Sequence, residues 1–519
     1  MQARIEELER DLRDSRSPRR APEPHVRLAG AWLLLGALVA CDRPDEIKPV
    51  SSPPPELPTP AASEPPPVAA PTTTSTASAS GSASASASAT AAPTEEPFAR
   101  TMVRRVGIDF SQAPLFFTAS FDGSQRYGMW LDTMRFAREL GREHGAPVRL
   151  TYFINTCYFD PSIKGSKIGR ARSRPEALVR RALAQLAINA GHDIGNHGVR
   201  HDNGLRWSPK RWDAEFDEFH HWTDENLFRP VRDESGRAVF PRFSPTSKTP
   251  GTTGARCTSD TDCPAGRCLA LTEQARFCTQ PCNRKHPCPA STVCGAPTFH
   301  DDTDLCVPPP RHPVVFRGVT LFDGEGHPNL ERLEPYRIIG YRAPFLAGND
   351  GLTEALLGHD YIYDASQLSP PGSPLRLSLA DRSGVLLGFP LMQHRRTRTI
   401  PMDYNYLQVG ASGQRMVKDY QHSFVASFAR PPRTPWNVGH HFSLWRDGAY
   451  WEALQTSMRF AAAGCPDDDG KTRCPDVAFV SFRELSRIIV RAVKRAQGTD
   501  ASPVARLRDR HPNRKPRDD

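Results

Sequence analysis

From residue 101 to about residue 490 the chain repeats one pattern: a short apolar run that halts at a turn, then a stretch with helical spacing. Leu115 to Phe121 is such a run and stops at Asp122-Gly123-Ser124. Trp130, Met134, Ala137 and Leu140 then recur on one side of a helix. Val148 to Ile154 is the next strand. Ser173-Arg-Pro-Glu176 has the form of a capping box and opens a helix to about Ala190, with Gly191 at its end. Asp193 to His197 reads as a short strand end, and Ser208-Pro209 starts a helix carrying Trp212, Phe216 and Phe219. Strand-like runs resume at Val314–Leu321 and Tyr336–Arg342. Such alternation predicts an α/β fold with parallel strands, whose functional side chains gather at the strand ends.

Residues 1–99 are of another kind. Residues 42–99 are mostly Pro, Ala, Ser, Thr and Glu, which helps hold the apolar content of the 519-residue chain to 38%. This composition cannot bury a core and reads as a spacer, stiff where Pro-rich and flexible where Ala and Ser alternate. Ahead of it, Arg27 to Ala40 is an apolar run of signal-peptide length, too short to span a bilayer comfortably. Leu38-Val39-Ala40-Cys41 resembles a bacterial lipobox. That predicts a signal peptide over 26–41, lipidation of Cys41, export, and a lipid anchor in the cell envelope (periplasm or outer membrane). Residues 1–25 read as a mis-assigned or disordered extension. Residues 496–519 read as a basic disordered tail, which carries much of the formal net charge of +9. No basic stripe interleaved with aromatics points to nucleic acid, and a monomer is expected.

Eight of the twelve cysteines crowd one window: Cys257, Cys263, Cys268, Cys278, Cys282, Cys288, Cys294 and Cys306. Cys465 and Cys474 flank a polar loop. Ten cysteines in an exported chain read as disulfides, with the connectivity open and Cys157 left as a buried thiol. The window over 250–310 is expected to be a stapled insertion on one loop.

The strand ends carry the chemistry. His197 and His201 stand i, i+4, so one helical turn would face both imidazoles toward one ion. Asp122 ends a buried strand, where a carboxylate serves as ligand, base or cap. Arg342 can pair with it and keep it ionised. Asp364 can accept a hydrogen bond from a histidine and raise its pKa toward that of a useful acid. His440 and His441 end a strand, and alternation sends only one inward. We take His440, on the face of Val438, with His441 as the alternative acid.

These stretches resemble, in order, the five motifs of the polysaccharide deacetylases, the NodB-like carbohydrate esterases. They are Ser120-Phe121-Asp122-Gly123, His197-Gly-Val-Arg-His201, Arg342-Ala-Pro-Phe345, Asp364-Ala-Ser-Gln-Leu368 and Val438-Gly439-His440. The resemblance implies a distorted (β/α) barrel of about seven strands over residues 100–495. It implies a divalent metal, zinc by preference, on His197 and His201, and hydrolysis of N-acetyl groups on an envelope or extracellular polysaccharide. Asp122 would be the base, Arg342 its partner, His440 the acid and Asp364 the acid's partner. The family's second Asp, a metal ligand, is Gly123 here. Asp122 ligates directly, another residue such as Asp109 or Asn155 substitutes, or the site is metal-poor. The last case would make the protein a non-catalytic glycan-binding lipoprotein.

Overall fold

A computed structural model of the chain describes residues 104–108, 110–264, 266–379 and 385–497. The expected signal peptide with Cys41, the spacer, Asp109 and the basic tail beyond 497 lie outside the described residues. In order, the first elements are β1 (Arg104–Ile108), β2 (Leu115–Asp122), α1 (Tyr127–His144), β3 (Thr151–Ile154), α2 (Arg174–Asn189), β4 (Asp193–Asn196) and α3 (Pro209–Asn226). Three hairpins follow: β5 (Arg267–Ala270) with β6 (Arg276–Thr279), β7 (Val293–Cys294) with β8 (Cys306–Val307), and β9 (Val314–Phe316) with β10 (Val319–Phe322). The remainder is β11 (Gly340–Tyr341), α4 (Asp350–Gly358), β12 (Tyr363–Asp364), β13 (Leu368–Ser369), β14 (Leu375–Leu379), β15 (Val385–Gly388), β16 (Leu391–Met392), α5 (Asp403–Gln408), α6 (Gly413–Ala429), β17 (Trp436–His441), α7 (Ala449–Ala462), β18 (Val477–Phe479) and α8 (Phe482–Gln497).

Local sequence sets these boundaries. Ser173 caps α2 by accepting from the Glu176 N–H, with Pro175 in the first turn. Ser208 caps α3 in the same way. The run Val314–Leu321 is a hairpin instead of one strand. Arg317 and Gly318 both have positive φ, and Val319 pairs with Phe316, so the chain turns back in two residues.

The strands β15-β12-β11-β4-β3-β2-β17 lie side by side and all run parallel, with β14 antiparallel to β15, β1 antiparallel in turn to β14, and β18 parallel to β2 off this row. The sheet curls into an open (β/α) barrel. Asn437 of β17 donates to the Pro390 carbonyl at 2.9 Å, linking the two flanks. Inside, one row crosses the sheet as Phe153, Gly195, Gly340 and Tyr363. A Cβ at Gly340 would stand 1.6 Å from the Tyr363 ring, and one at Gly195 2.7 Å from Phe153. Two glycines side by side thus make room for two aromatic rings. Phe389 and Phe482 complete this interior.

All ten expected cysteines pair, as Cys257–Cys268, Cys263–Cys278, Cys282–Cys294, Cys288–Cys306 and Cys465–Cys474. Cys157 is free and buried. The first four bridges form two interleaved pairs between α3 and β9. Phe299 of this region stacks on Trp451 at 4.6 Å, and Gly128 of α1 abuts the Ala296 and Pro297 carbonyls. The disulfide-rich segment therefore covers the barrel's helices. Among the described residues, no helix is long and apolar enough to cross a membrane.

Where β4 starts, Asp193 is fully buried and accepts from Tyr336, Tyr363 and Arg483. Breaking one partner of a buried pair leaves an uncompensated charge. Asp193→Ala is expected to lower stability by roughly 3–5 kcal/mol in urea denaturation. Beside it, His192 accepts the Leu150 N–H at Nδ1. Burial, with help from Arg149 and Arg138, pushes its pKa down to about 3. The unfolded chain binds this proton near pH 6.5 and the folded one does not, so the contribution is present above that pH and is lost as pH falls toward 3. Between these limits, denaturation curves of His192→Gln should lose about 1.4 kcal/mol per pH unit of the parent's slope.

Candidate active site

Four strands deliver the site. Asp122 is the last residue of β2 and His441 the last of β17. His197 follows β4 directly, and Arg342 follows β11 directly. All four sit at C-terminal strand ends, where such barrels carry their chemistry.

Register decides which side chains meet. Asp122 pairs with Phe153, and Phe153 with Gly195, so Asp122 lies on the interior face. His441 pairs with Asp122, whereas His440 pairs with Phe121 on the helix-covered face. The expectation for His440 is thereby corrected: His441 shares the face of the carboxylate. The error lay in reading Val438 as inward-facing, since it belongs to the core beneath the helices. His440 is 1% exposed and meets Tyr420 there at 3.2 Å. The inward neighbour of His441 is Gly439, where a Cβ would lie 3.4 Å from Arg342 Nη1.

Arg342 and Asp122 form a buried pair, Nη1 to Oδ1 at 2.9 Å. The guanidinium lies over Phe153 at 4.4 Å and donates through Nε to the Ala365 carbonyl. Burial would raise the Asp122 carboxyl, but Arg342, His197 and His441 outweigh it and hold it below its usual value. Oδ2 of Asp122 lies 4.0 Å from His197 Nε2. The Nδ1–H of His197 donates to the Arg342 carbonyl at 2.8 Å, which fixes the tautomer and leaves Nε2 as an acceptor.

The segment from His197 to His201 is a turn and not the helical turn expected. Gly198 has φ +78° and His201 φ +61°, and this backbone brings the two rings to 4.9 Å between centroids. His201 rests against Phe345 at 4.8 Å, and its Nδ1 is buried with no hydrogen-bond partner. Asn155 braces the turn by donating to the His197 and Gly198 carbonyls, while its own Oδ1 has no partner.

Asp364 does not reach a histidine. It pairs across the sheet with Tyr341, on the face opposite Asp122, and its carboxylate accepts from Ser366 and Gln367. The carboxylate beside the histidine pair is Asp403, which sequence reasoning missed. It opens α5 and accepts from His441 Nδ1 and from the His441 backbone N–H, both at 2.7 Å. Its Oδ2 is 3.7 Å from His440 Nδ1. Met402 bridges to Gly439 and holds this loop against β17. A signal existed: Asp403-Tyr-Asn-Tyr-Leu407 has the same outline as Asp364-Ala-Ser-Gln-Leu368.

The imidazoles separate by charge. Burial lowers His197, lowers His201 to about 3 and lowers His440 to about 4. At His441 burial also opposes protonation, but the charge and hydrogen bond of Asp403 prevail and the pKa rises. The one raised imidazole is also partly accessible, at 26%.

The donor types suit a divalent metal, but the donor atoms of His197, His201 and Asp122 do not all lie within 4.8 Å of one another. His197 Nε2, the unpartnered His201 Nδ1 and Asp122 Oδ2 are hard or borderline donors. Two ligands of one zinc ion stand at most about 4 Å apart, which the Asp122–His197 spacing meets at its limit. Gly123 has φ +99°, and a Cβ there would meet nothing within 4 Å. The space for another ligand is present, but a carboxylate residue would adopt this backbone only under strain.

No protein-family model matches the chain, and no curated protein matches it. It is similar in structure to a protein of Mycobacterium smegmatis assigned as a polysaccharide deacetylase, at 14% identity and TM-score 0.38, covering 74% of this chain and 92% of that one. It is similar to Puue allantoinase at 10% identity and TM-score 0.37, covering 72% and 90%. A family 4 carbohydrate esterase from Streptomyces lividans aligns at 9% identity and TM-score 0.27, covering 67% and 89%. Overlaps of this size do not bear on activity.

Imidazole NMR titration should find His441 protonated to higher pH than a free histidine, with Asp403→Asn returning it downward. An unchanged titration in that variant would sink the pairing.

Proposed function

We propose that the protein is a metal-dependent hydrolase that removes N-acetyl groups from a polysaccharide of the cell envelope or its surroundings. One observation carries this reading: a depressed carboxylate and a raised imidazole end adjacent parallel strands and share one face. Enzymes set general base and general acid apart in just this way.

His197 and His201 would hold the ion, which when bound polarises the acyl oxygen and lowers the pKa of water, while Asp122 Oδ2 is left free to act as the base. The remaining work belongs to the chain. Asp122, aimed by Arg342, takes a proton as a water oxygen bonds to the acyl carbon. His441, aimed through Nδ1 by Asp403, gives its Nε2 proton to the sugar nitrogen as the carbon–nitrogen bond breaks. Acetate and an amino sugar leave, and the proton on Asp122 returns to solvent as His441 is reprotonated. The fully buried Arg342 also keeps the Asp122 carboxylate away from neutralisation at neutral pH. Export with a lipid anchor at Cys41 belongs to the same reading and places the enzyme beside an envelope glycan.

The open space at Gly123 favours a second reading, a glycan-binding protein with a weakened metal site. Acetate release from N-acetylated glycan oligomers, with zinc supplied, separates the two. His197→Ala and His441→Ala should each lower turnover by about 10²-fold or more. His440→Ala and Asp364→Asn should cost far less. Zinc binding by titration calorimetry should be lost in His197→Ala and kept in His441→Ala. Binding of glycan with no acetate released at any zinc concentration would select the second reading.

A further inference from the structure

Beside the candidate acid stands a pair of aromatic rings that the chemistry above does not use. Tyr404 lies in the first turn of α5, next to Asp403, and is 45% exposed. Trp445 follows β17, is half-buried and packs against the main core. Their ring centroids are 5.8 Å apart, and the His441 imidazole lies 6.2 Å from Tyr404 and 5.1 Å from Trp445. The three rings form one patch that reaches solvent at Tyr404 and His441.

The backbone that presents Trp445 has an uncommon shape. Arg446, Asp447 and Gly448 follow it with φ of +52°, +53° and +87°. Residues with a side chain enter this region at a cost and stay there only when their surroundings fix them. The disulfide-rich segment is what fixes them. A Cβ at Gly448 would stand 2.4 Å from the Phe299 carbonyl oxygen and 3.2 Å from His300 Nδ1, so glycine alone lets that segment press against the turn. Phe299 also stacks on Trp451 of α7, the helix into which the turn leads. The segment thus extends to the rim of the site and buttresses the loop that carries Trp445.

In the reading above, His441 gives its proton to a sugar nitrogen. That nitrogen is bonded directly to a ring carbon, so the pyranose lies against the imidazole, where Tyr404 and Trp445 border it. A pyranose with equatorial substituents presents faces of axial C–H bonds, which suit the electron-rich faces of aromatic rings. Tyr and Trp offer such faces with few rotors to immobilise, and each adds a polar tip for hydroxyl groups. We propose that Tyr404 and Trp445 form the platform on which a pyranose of the glycan stacks, and that the disulfide-rich segment positions it. This placement of the sugar rests on the hydrolase reading, whereas stacking is read by binding alone.

The test uses the full chain with chitotetraose, the tetramer of N-acetylglucosamine, followed by titration calorimetry. Acetate release and melting temperature are measured on the same samples. Tyr404→Ala and Trp445→Ala should each raise Kd at least about tenfold, with zinc binding unchanged. Trp445→Phe keeps a ring and should stay within about threefold of the parent. Chitotetraose should shift the tryptophan emission of the parent and shift it less in Trp445→Phe. Gly448→Ala leaves all three rings in place and should weaken binding roughly three- to tenfold by displacing the turn. Absence of chitotetraose binding by the parent, or unchanged affinity in Tyr404→Ala, whose exposed ring can be removed without unfolding the chain, would overturn the platform. Unchanged affinity in Gly448→Ala would overturn the role of the disulfide-rich segment. Affinity lost as expected in a protein that releases no acetate would keep the platform and discard hydrolysis. Acetate release with an unaltered KM in Tyr404→Ala would do the reverse.

Discussion

The Arg342 guanidinium and the Asp122 carboxylate meet at 2.9 Å in a place where neither charge would be stable alone. Each is nearly inaccessible, and each repays the other's desolvation. The contact also aligns the rest of the site. The same arginine offers its backbone carbonyl to His197 and its Nε to Ala365, and it lies flat on Phe153. One residue thereby orients the Asp122 carboxylate, fixes the His197 tautomer and joins β4, β11 and β12. A lysine would keep the charge but lose the planar fork and the stacking that make three contacts simultaneous.

The alternation of strand and helix was readable because apolar period and capping residues are local properties. Ser173 and Ser208 announce α2 and α3 in the sequence and cap them in the fold. Asp122, Arg342 and the 197/201 pair were equally visible, since each stands beside a strand end with a turn residue next to it. What could not be read was anything that depends on parity between distant strands. His440 and His441 differ by one step along β17, and only the pairing with β2 says which one faces the cleft. Asp364 and Asp403 share a sequence outline, but Asp364 lies in β12 on the face opposite Asp122, whereas Asp403 opens α5 and reaches His441. The turn at His201 was hidden for another reason. A histidine at φ +61° is uncommon enough that spacing alone favours a helix.

The disulfide-rich segment illustrates a third limit. That its cysteines pair follows from their even number and density, but which pair with which depends on hairpins that the spacing does not reveal. Its packing role was also invisible. Phe299 stacks on Trp451, and Trp451 in turn meets Phe121, the residue before Asp122. A staple far along the chain thus supports β2 from behind, through a line of aromatic rings.

The absence of a side chain at 439 has a consequence for how the two histidines are kept in their roles. If β17 slid by one position along β2, His440 would replace His441 in the cleft, and Val438 would arrive where Gly439 now sits. That spot is closed by Met402 at 2.7 Å and Arg342 at 3.4 Å from where a Cβ would stand. The isopropyl group has nowhere to go, so the neighbouring imidazoles cannot trade places. The smallest residue in the strand acts as a ratchet pawl for the largest decision the strand makes.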